Sequence, residues 1–328
     1  MKFFTHPEGI FELNIPLEWY YKNEVFGYPN KPPFSFELYE NNCGCFQISV
    51  YHKSKKKFST KLPKQIYNTN NLKFIENELP DKDFKIYLWA TVVEDYLFMA
   101  KYVCQPNESN RIQIKEEISK VDEVLSTLMC LSEDRRKLAI GFDRYEKFNS
   151  SLAASFDLKN KALENRCFVQ FIIITANQID AYLRICIVLK YQLIEKTQEF
   201  KIEYLFQKEN DKPVMEKKIY DISKKMNIIN ETQYNELYKL YNLRNKVVHR
   251  FIITDIKTLE LPQISLEYES LCEEIRLILR NVELEQFNSK IGYYSSKHPH
   301  RKYSDNLIKE LKSYVNEKHL YSEYFRDI

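Results

Sequence analysis

SEDRRK, residues 132–137, marks the point at which the hydrophobic period of the chain changes from two residues to 3.6. Before it, Phe11, Leu13 and Ile15 alternate with Glu12 and Asn14, and Pro16 ends that strand ahead of Trp19. Phe34, Phe36 and Leu38 repeat the pattern, as do Phe46, Ile48 and Val50. Ile86, Leu88, Ala90 and Val92 lead through Glu94-Asp95 into a return strand over 96–104. This predicts one antiparallel sheet. A helix with Ile114, Ile118, Val121, Leu125 and Leu128 on one stripe is expected to cover it.

Beyond residue 137 the pattern is helical. A long helix is expected over 161–196, and a second opened by Pro213 with Met215, Ile219, Ile222 and Met226 on one face. A third opens on a capping box, Asn230 with Gln233, and continues through Leu237, Leu240, Val247, Val248 and Phe251. A fourth carries Ile264, Tyr268, Leu271, Ile275, Ile278 and Val282, a repeat able to pack in the bundle or against a second copy. Residues 295–303 (SSKHPHRKY) read as a basic loop, and Ser304 caps a short helix with Ile308, Leu311 and Val315 inside. The expected fold class is α+β multidomain. Residues 1–131 are read as an α/β sandwich with an antiparallel sheet, residues 132–328 as an all-α bundle.

Composition excludes several kinds of function. The 328 residues contain 5 glycines, where an average composition of about 7% would give some 23, and these are scattered singly. Neither a phosphate loop nor a dinucleotide fingerprint can be written with them. A net charge of +3 is too small to bind nucleic acid through the overall field, so any such contact must be local. Seven cysteines with one close pair, Cys43 and Cys45, read as reduced thiols in a cytoplasm. The N-terminus lacks the apolar run of a signal peptide. The most apolar window, 168–189, holds Asp180 and Arg184 near its middle and is expected to be a buried helix, not a membrane span.

The pattern with most chemistry is Arg244-Asn245-Lys246-Val247-Val248-His249 at the polar end of the third helix. In it the chain resembles the HEPN family, whose mark is an Arg, often followed by Asn, and then a His near the end of a helix in a small bundle. The resemblance covers about residues 150–290. It implies a metal-independent endoribonuclease of the toxin-antitoxin or phage-defence kind, commonly paired as a two-fold homodimer, with no cofactor. More faintly, the strand order, the IPLEW turn at 15–19 and the closing helix over about the first 130 residues resemble PsbP-like sandwiches.

The residue types suit that chemistry by themselves. An imidazole titrates near pH 6.5 and can shuttle the proton of a ribose 2′-hydroxyl, while a guanidinium holds a phosphate as charge builds on its oxygens. His249 is thus the candidate acid or base, Arg244 the phosphate clamp and Asn245 an orienting group. Five residues along an ideal helix turn about 500°, so Arg244 and His249 point about 140° apart and one helix cannot close the site. The alternative is that Arg244 and His249 merely stabilise a helix C-terminus and the bundle is a non-catalytic dimerisation or interaction module. Gln170, Asn177, Asp180 and Arg184 form a polar stripe on the long helix, either solvent-facing or opposed to Arg244 and His249. Lys53, Lys55, Lys56 and Lys57, followed by Lys61 and Lys64 and flanked by Tyr51 and Phe58, read as a solvated loop or a nucleic-acid contact. His298 and His300 have no acidic or cysteine partner at ligand spacing and read as surface residues, so no metal site is expected. Expected partners are RNA, a second copy and a cognate antitoxin or regulatory protein, with no membrane.

Overall fold

The alternation of large apolar residues becomes antiparallel strands. The computed structural model describes residues 1–40, 42–55, 65–68, 73–80, 84–107, 109–208, 210–299 and 302–328, with backbone alone for 55, 65–68 and 73–80. The order begins β1 (Lys2–Thr5), β2 (Phe11–Ile15), β3 (Trp19–Tyr21), the single turn α1 (Lys22–Val25), β4 (Phe34–Leu38) and β5 (Gly44–His52). It continues through β6 (Gln65–Asn68), β7 (Lys73–Pro80), β8 (Lys85–Val93), β9 (Tyr96–Cys104), α2 (Arg111–Ser126) and β10 (Met129–Cys130). These strands make two antiparallel sheets instead of the one expected, β1-β2-β10 and β3-β4-β5-β9-β8-β7-β6. The separation follows from Pro16, which ends β2 before Trp19 starts a strand that pairs with β4.

Aromatic packing holds this first unit. Phe11, Trp19, Phe34, Phe36, Phe46, Trp89, Phe98 and Tyr102 are buried together, and α2 adds Ile114, Val121, Val124 and Leu125. Ile118, expected inside, is only partly buried against this core. A carboxylate fixes the helix: Trp19 Nε1 donates to Glu117 Oε2 at 2.7 Å, and Lys120 bridges Glu117 and Glu18 at 2.7 and 2.6 Å. Gly44 opens β5 because the Tyr102 ring occupies the space a Cβ would need, 2.5 Å from Cζ. His6 is buried between Phe11 and Phe34, and its Nδ1 accepts from the Glu8 amide at 3.0 Å. All seven cysteines are free thiols.

The expected boundary stretch 132–137 is helical nearly throughout. It opens α3 (Glu133–Glu164), and the chain divides into compact units of Met1–Ile140 with Arg326–Ile328, and Gly141–Phe325. The helix expected over 161–196 is the end of α3 and the whole of α4 (Phe168–Glu195), separated at 165–167, where Arg166 has φ +54°. The second unit adds α5 (Glu216–Lys225), α6 (Glu231–His249), α7 (Leu261–Ser289) and α8 (Asp305–His319). α5 begins at Glu216, not at Pro213, and Met215 lies outside it and exposed. The Asn230–Gln233 capping box forms, with bonds of 2.9 and 3.0 Å. Ser304 caps α8 and Val315 is buried, but Ile308 and Leu311 are exposed.

α4 is long and apolar enough to cross a membrane, yet 67% of its most apolar window is buried within the protein. Its main companion is α7, whose Ile264, Tyr268, Leu271, Ile275 and Val282 are buried. The stripe expected to pack in the bundle or against a second copy is therefore occupied within the chain. Two glutamines lock the far ends of these helices. Gln286 Nε2 donates to Leu189 O at 2.8 Å and Gln192 Oε1 at 2.9 Å, and its Oε1 accepts from the Tyr294 amide at 3.0 Å. Gly292, at φ +81°, lets the chain pass over this amide; a Cβ would lie 2.3 Å from Gln286 Nε2.

Two outcomes follow from these contacts. Gln286→Leu keeps a side chain of similar size but removes three buried hydrogen bonds, so denaturant unfolding should show a loss of about 2–4 kcal/mol. Burial, with Arg136 nearby, lowers the His6 pKa from 6.5 to about 4. Between those values the unfolded chain binds a proton that the folded chain refuses, so this contribution is complete above pH 6.5 and is lost as pH falls toward 4. Its size is about 3 kcal/mol. Unfolding of wild type and His6→Asn at pH 7 and pH 4.5 should show a gap that narrows in acid.

Candidate functional site

α6 carries Arg244, Asn245 and His249 to its last turns, but the surroundings treat them differently. Arg244 is half-buried. Its Nη1 donates to Glu216 Oε2 at 2.7 Å, its Nη2 to Asn245 Oδ1 at 3.1 Å, and its guanidinium lies 4.8 Å from the Tyr241 ring centroid. The Tyr220 hydroxyl donates to the other Glu216 oxygen. Burial opposes the charge of Arg244, but Glu216 outweighs it and holds the guanidinium more firmly protonated. Tyr220 is driven the other way, its ionisation suppressed by burial and then by Glu216.

α4 contributes a second ion pair. Arg184 Nε donates to Asp180 Oδ2 at 2.6 Å and Arg184 Nη2 to Val214 O at 2.8 Å. Asp180 Oδ1 is buried without a partner among the described residues. Burial raises the Asp180 pKa against the pull of Arg184, and the fields of Glu216 and Arg244 also act on it. Two arginines, two carboxylates and a tyrosine thus form one partly buried polar cluster between α4, α5 and α6. The rest of the α4 stripe does not join it, since Gln170 and Asn177 are exposed.

His249 stands outside this cluster. It is exposed and has no hydrogen bond, ion pair or ring contact among the described residues. Asn245, one turn back on its face, is held by Arg244 and not by the imidazole. After His249 the chain makes a short 3-10 turn, Phe251–Ile253, in which Ile252 and Ile253 are 95% and 80% exposed. Phe251, expected inside the bundle, is exposed as well.

Sequence reasoning missed Glu216 and Tyr220. A half-buried arginine requires a carboxylate, and Glu216 with Tyr220 one turn on is a polar pair at the start of an amphipathic helix. Of the lysine run, Lys53 is exposed, 3.6 Å from Asp95 Oδ1. The Lys55 side chain and Lys56, Lys57, Phe58, Lys61 and Lys64 lie outside the described residues, as does His300. His298 is exposed and stacks edge-on against Phe287 at 4.7 Å. Among the described residues no three His, Cys, Asp or Glu side chains gather to hold a metal ion.

No protein family and no curated protein matches the chain. A crystal structure from Bacteroides thetaiotaomicron VPI-5482 aligns with 53% of this chain and 76% of its own, at 12% identity and a TM-score of 0.30. A similarity of that size carries no argument about fold or function.

The contrast between the two motif residues is measurable. Arg244→Ala leaves Glu216 without its cation and should cost about 2–3 kcal/mol of stability, because breaking one side of a shielded pair strands the other charge. His249→Ala should change stability by less than about 0.5 kcal/mol, as expected for an exposed residue without partners. Thermal or urea unfolding of both variants checks this.

Proposed function

We propose that the protein is a HEPN-like interaction protein whose bundle binds a partner and whose first unit, similar to PsbP-like sandwiches, recognises a second ligand or protein. One observation carries this reading. Arg244 is turned onto Glu216 and neutralised there, while His249 is exposed and no described residue orients it. A phosphate clamp must offer its guanidinium to the substrate, and this one is committed to holding α5 against α6. Arg244 is accordingly assigned a structural role.

A second reading is favoured by a different observation. The exposed Phe251-Ile252-Ile253 turn directly after His249 is the sort of apolar patch that a second copy covers. Such a homodimer would supply the missing half of a metal-independent endoribonuclease site, with His249 as acid or base, Asn245 orienting it, and a toxin-antitoxin or phage-defence role. Because α7 packs inside its own chain, this turn replaces the 264–282 stripe as the dimer surface.

Incubation of the full chain with total RNA in EDTA separates the readings, with light scattering at tens of micromolar to give the mass in solution. Under the interaction reading the RNA stays intact, with or without Mg²⁺, and His249→Ala behaves as wild type. Metal-free cleavage by a dimer, abolished by His249→Ala and by Ile252→Asp, would replace it with the nuclease. Arg244→Ala is a poor probe, since loss of folding would imitate loss of chemistry.

A further inference from the structure

The connection between α6 and α7, residues 250–260, carries the most exposed large apolar side chains among the described residues. Ile252, Leu259 and Ile253 are 95%, 89% and 80% exposed. Single apolar residues are common on any protein surface, but three on one short connection are not scattered singly. They are not on a loose tail either. The Ile253 amide donates to Arg250 O at 3.1 Å, the Thr254 hydroxyl to the same oxygen at 2.9 Å, and the Glu260 amide to Lys257 O at 2.9 Å, so two short turns hold the side chains outward. Met215, 62% exposed, directly precedes the glutamate that binds Arg244, which brings a fourth apolar side chain to the same end of the bundle.

Cations surround this tip. Lys246 and Arg250 stand at the end of α6, Lys257 on the connection and Lys218 at the start of α5, all exposed and without a carboxylate partner among the described residues. Two of them suit the carboxyl end of α6 by themselves, but Lys218 and Lys257 belong to other elements. Residues 216–218 and 244–260 hold six Lys and Arg against three Asp and Glu, an excess of three that equals that of the whole chain. Of the three carboxylates, Glu216 is committed to Arg244, and Glu260 accepts from the Lys257 amide at 3.3 Å. A side chain that is almost wholly exposed touches little of its own chain, so it stands proud of the surface and lines no groove. A folded partner would have to provide a fitted pocket for each one. The boundary between headgroups and acyl chains accepts apolar tips without a pocket, and anionic headgroups complement the cations around them.

We propose that the 250–260 connection docks the bundle on an anionic lipid bilayer, with Ile252, Ile253 and Leu259 entering the boundary and Lys218, Lys246, Arg250 and Lys257 meeting headgroup phosphates. Burial of α4 argues against a spanning helix and does not bear on contact of this kind. The bilayer is thereby the partner of the bundle in the interaction reading above, on which this inference rests. Vesicle binding involves no RNA and no chemistry. Metal-free RNA cleavage would therefore overturn that reading without altering the vesicle result, and failure to bind vesicles would remove the bilayer while leaving the bundle an interaction module.

The full chain is sedimented with phosphatidylcholine vesicles with and without about 30% phosphatidylglycerol, and its mass without lipid is read by light scattering. Docking requires partition at least about tenfold stronger into the anionic vesicles. Lys246→Gln, Arg250→Gln and Lys257→Gln together should weaken it about tenfold to a hundredfold. Ile252→Ser with Ile253→Ser should weaken it at least about tenfold. All five residues are exposed, so both variants test the surface without testing the fold. Ile253→Trp separates entry into the boundary from adsorption on it, because Trp19 and Trp89 are 1% and 0% exposed and brominated acyl chains should quench the introduced indole alone. No binding to anionic vesicles, unchanged binding in either multiple variant, or an unquenched indole would each overturn the proposal. Complete displacement by polyglutamate at a charge equal to that of the vesicles would also overturn it and assign the tip to an acidic protein segment. A dimer in solution that is lost in Ile252→Asp would overturn it in favour of a second copy.

Discussion

The helical unit depends on covering α4. Its Ile172, Ile179, Leu183, Cys186, Val188 and Leu189 are almost wholly withdrawn from water, and at about 25 cal/mol per Å² such a helix is stable only when it is surrounded. α7 supplies the principal cover, with α5 and α6 against other parts of the same helix. This need explains why Ile264, Tyr268, Leu271, Ile275 and Val282 of α7 are buried within their own chain. It also explains why Asp180 and Arg184, on an otherwise apolar helix, have to find each other. Arg184 reaches the carboxylate and the Val214 carbonyl because an unpaired charge at this depth would be prohibitive.

The same constraint sets the fate of the α6 motif. Covering α4 brings the start of α5 beside the last turns of α6, so Glu216 meets Arg244. Arg244 thereby becomes part of the packing, and its neighbour on the helix, Asn245, is recruited to hold it. His249, five residues on and turned well away, gains nothing from that arrangement and remains in solvent. A pattern of residue types that suggests paired chemistry is thus divided between a half-buried side chain held in an ion pair and an exposed one. Asp221 of α5 accepts from the Tyr234 and Tyr238 hydroxyls of α6, a further tie within the same arrangement.

The first unit is stabilised differently. Its rings are drawn from both sheets, as when Phe4 of β1 meets Phe36 of β4 edge-on at 4.9 Å. α2 is tied to this core by Glu117, a buried carboxylate that the Trp19 indole and Lys120 both address. Hydrogen bonds of this kind fix where a helix sits along an apolar surface that would otherwise allow sliding.

The sequence by itself determined the period of each half, and with it the class of each unit. Strands through 11–15, 34–38, 46–50, 86–92 and 96–104 announced themselves because alternate side chains face a core. The capping box at Asn230 was equally plain, because its partners lie within four residues of each other. What it could not determine was anything set by contacts distant in the chain. That β2 and β3 belong to different sheets, that the charged 132–137 stretch opens a long helix, and that 161–196 contains a break were decided by packing. Arg244 and Glu216 are 28 residues apart and α4 and α7 nearly a hundred, and no local periodicity encodes who meets whom. Tertiary structure decided that Arg244 is bound and His249 exposed, because a side chain's role depends on the partner that burial of other residues brings to it.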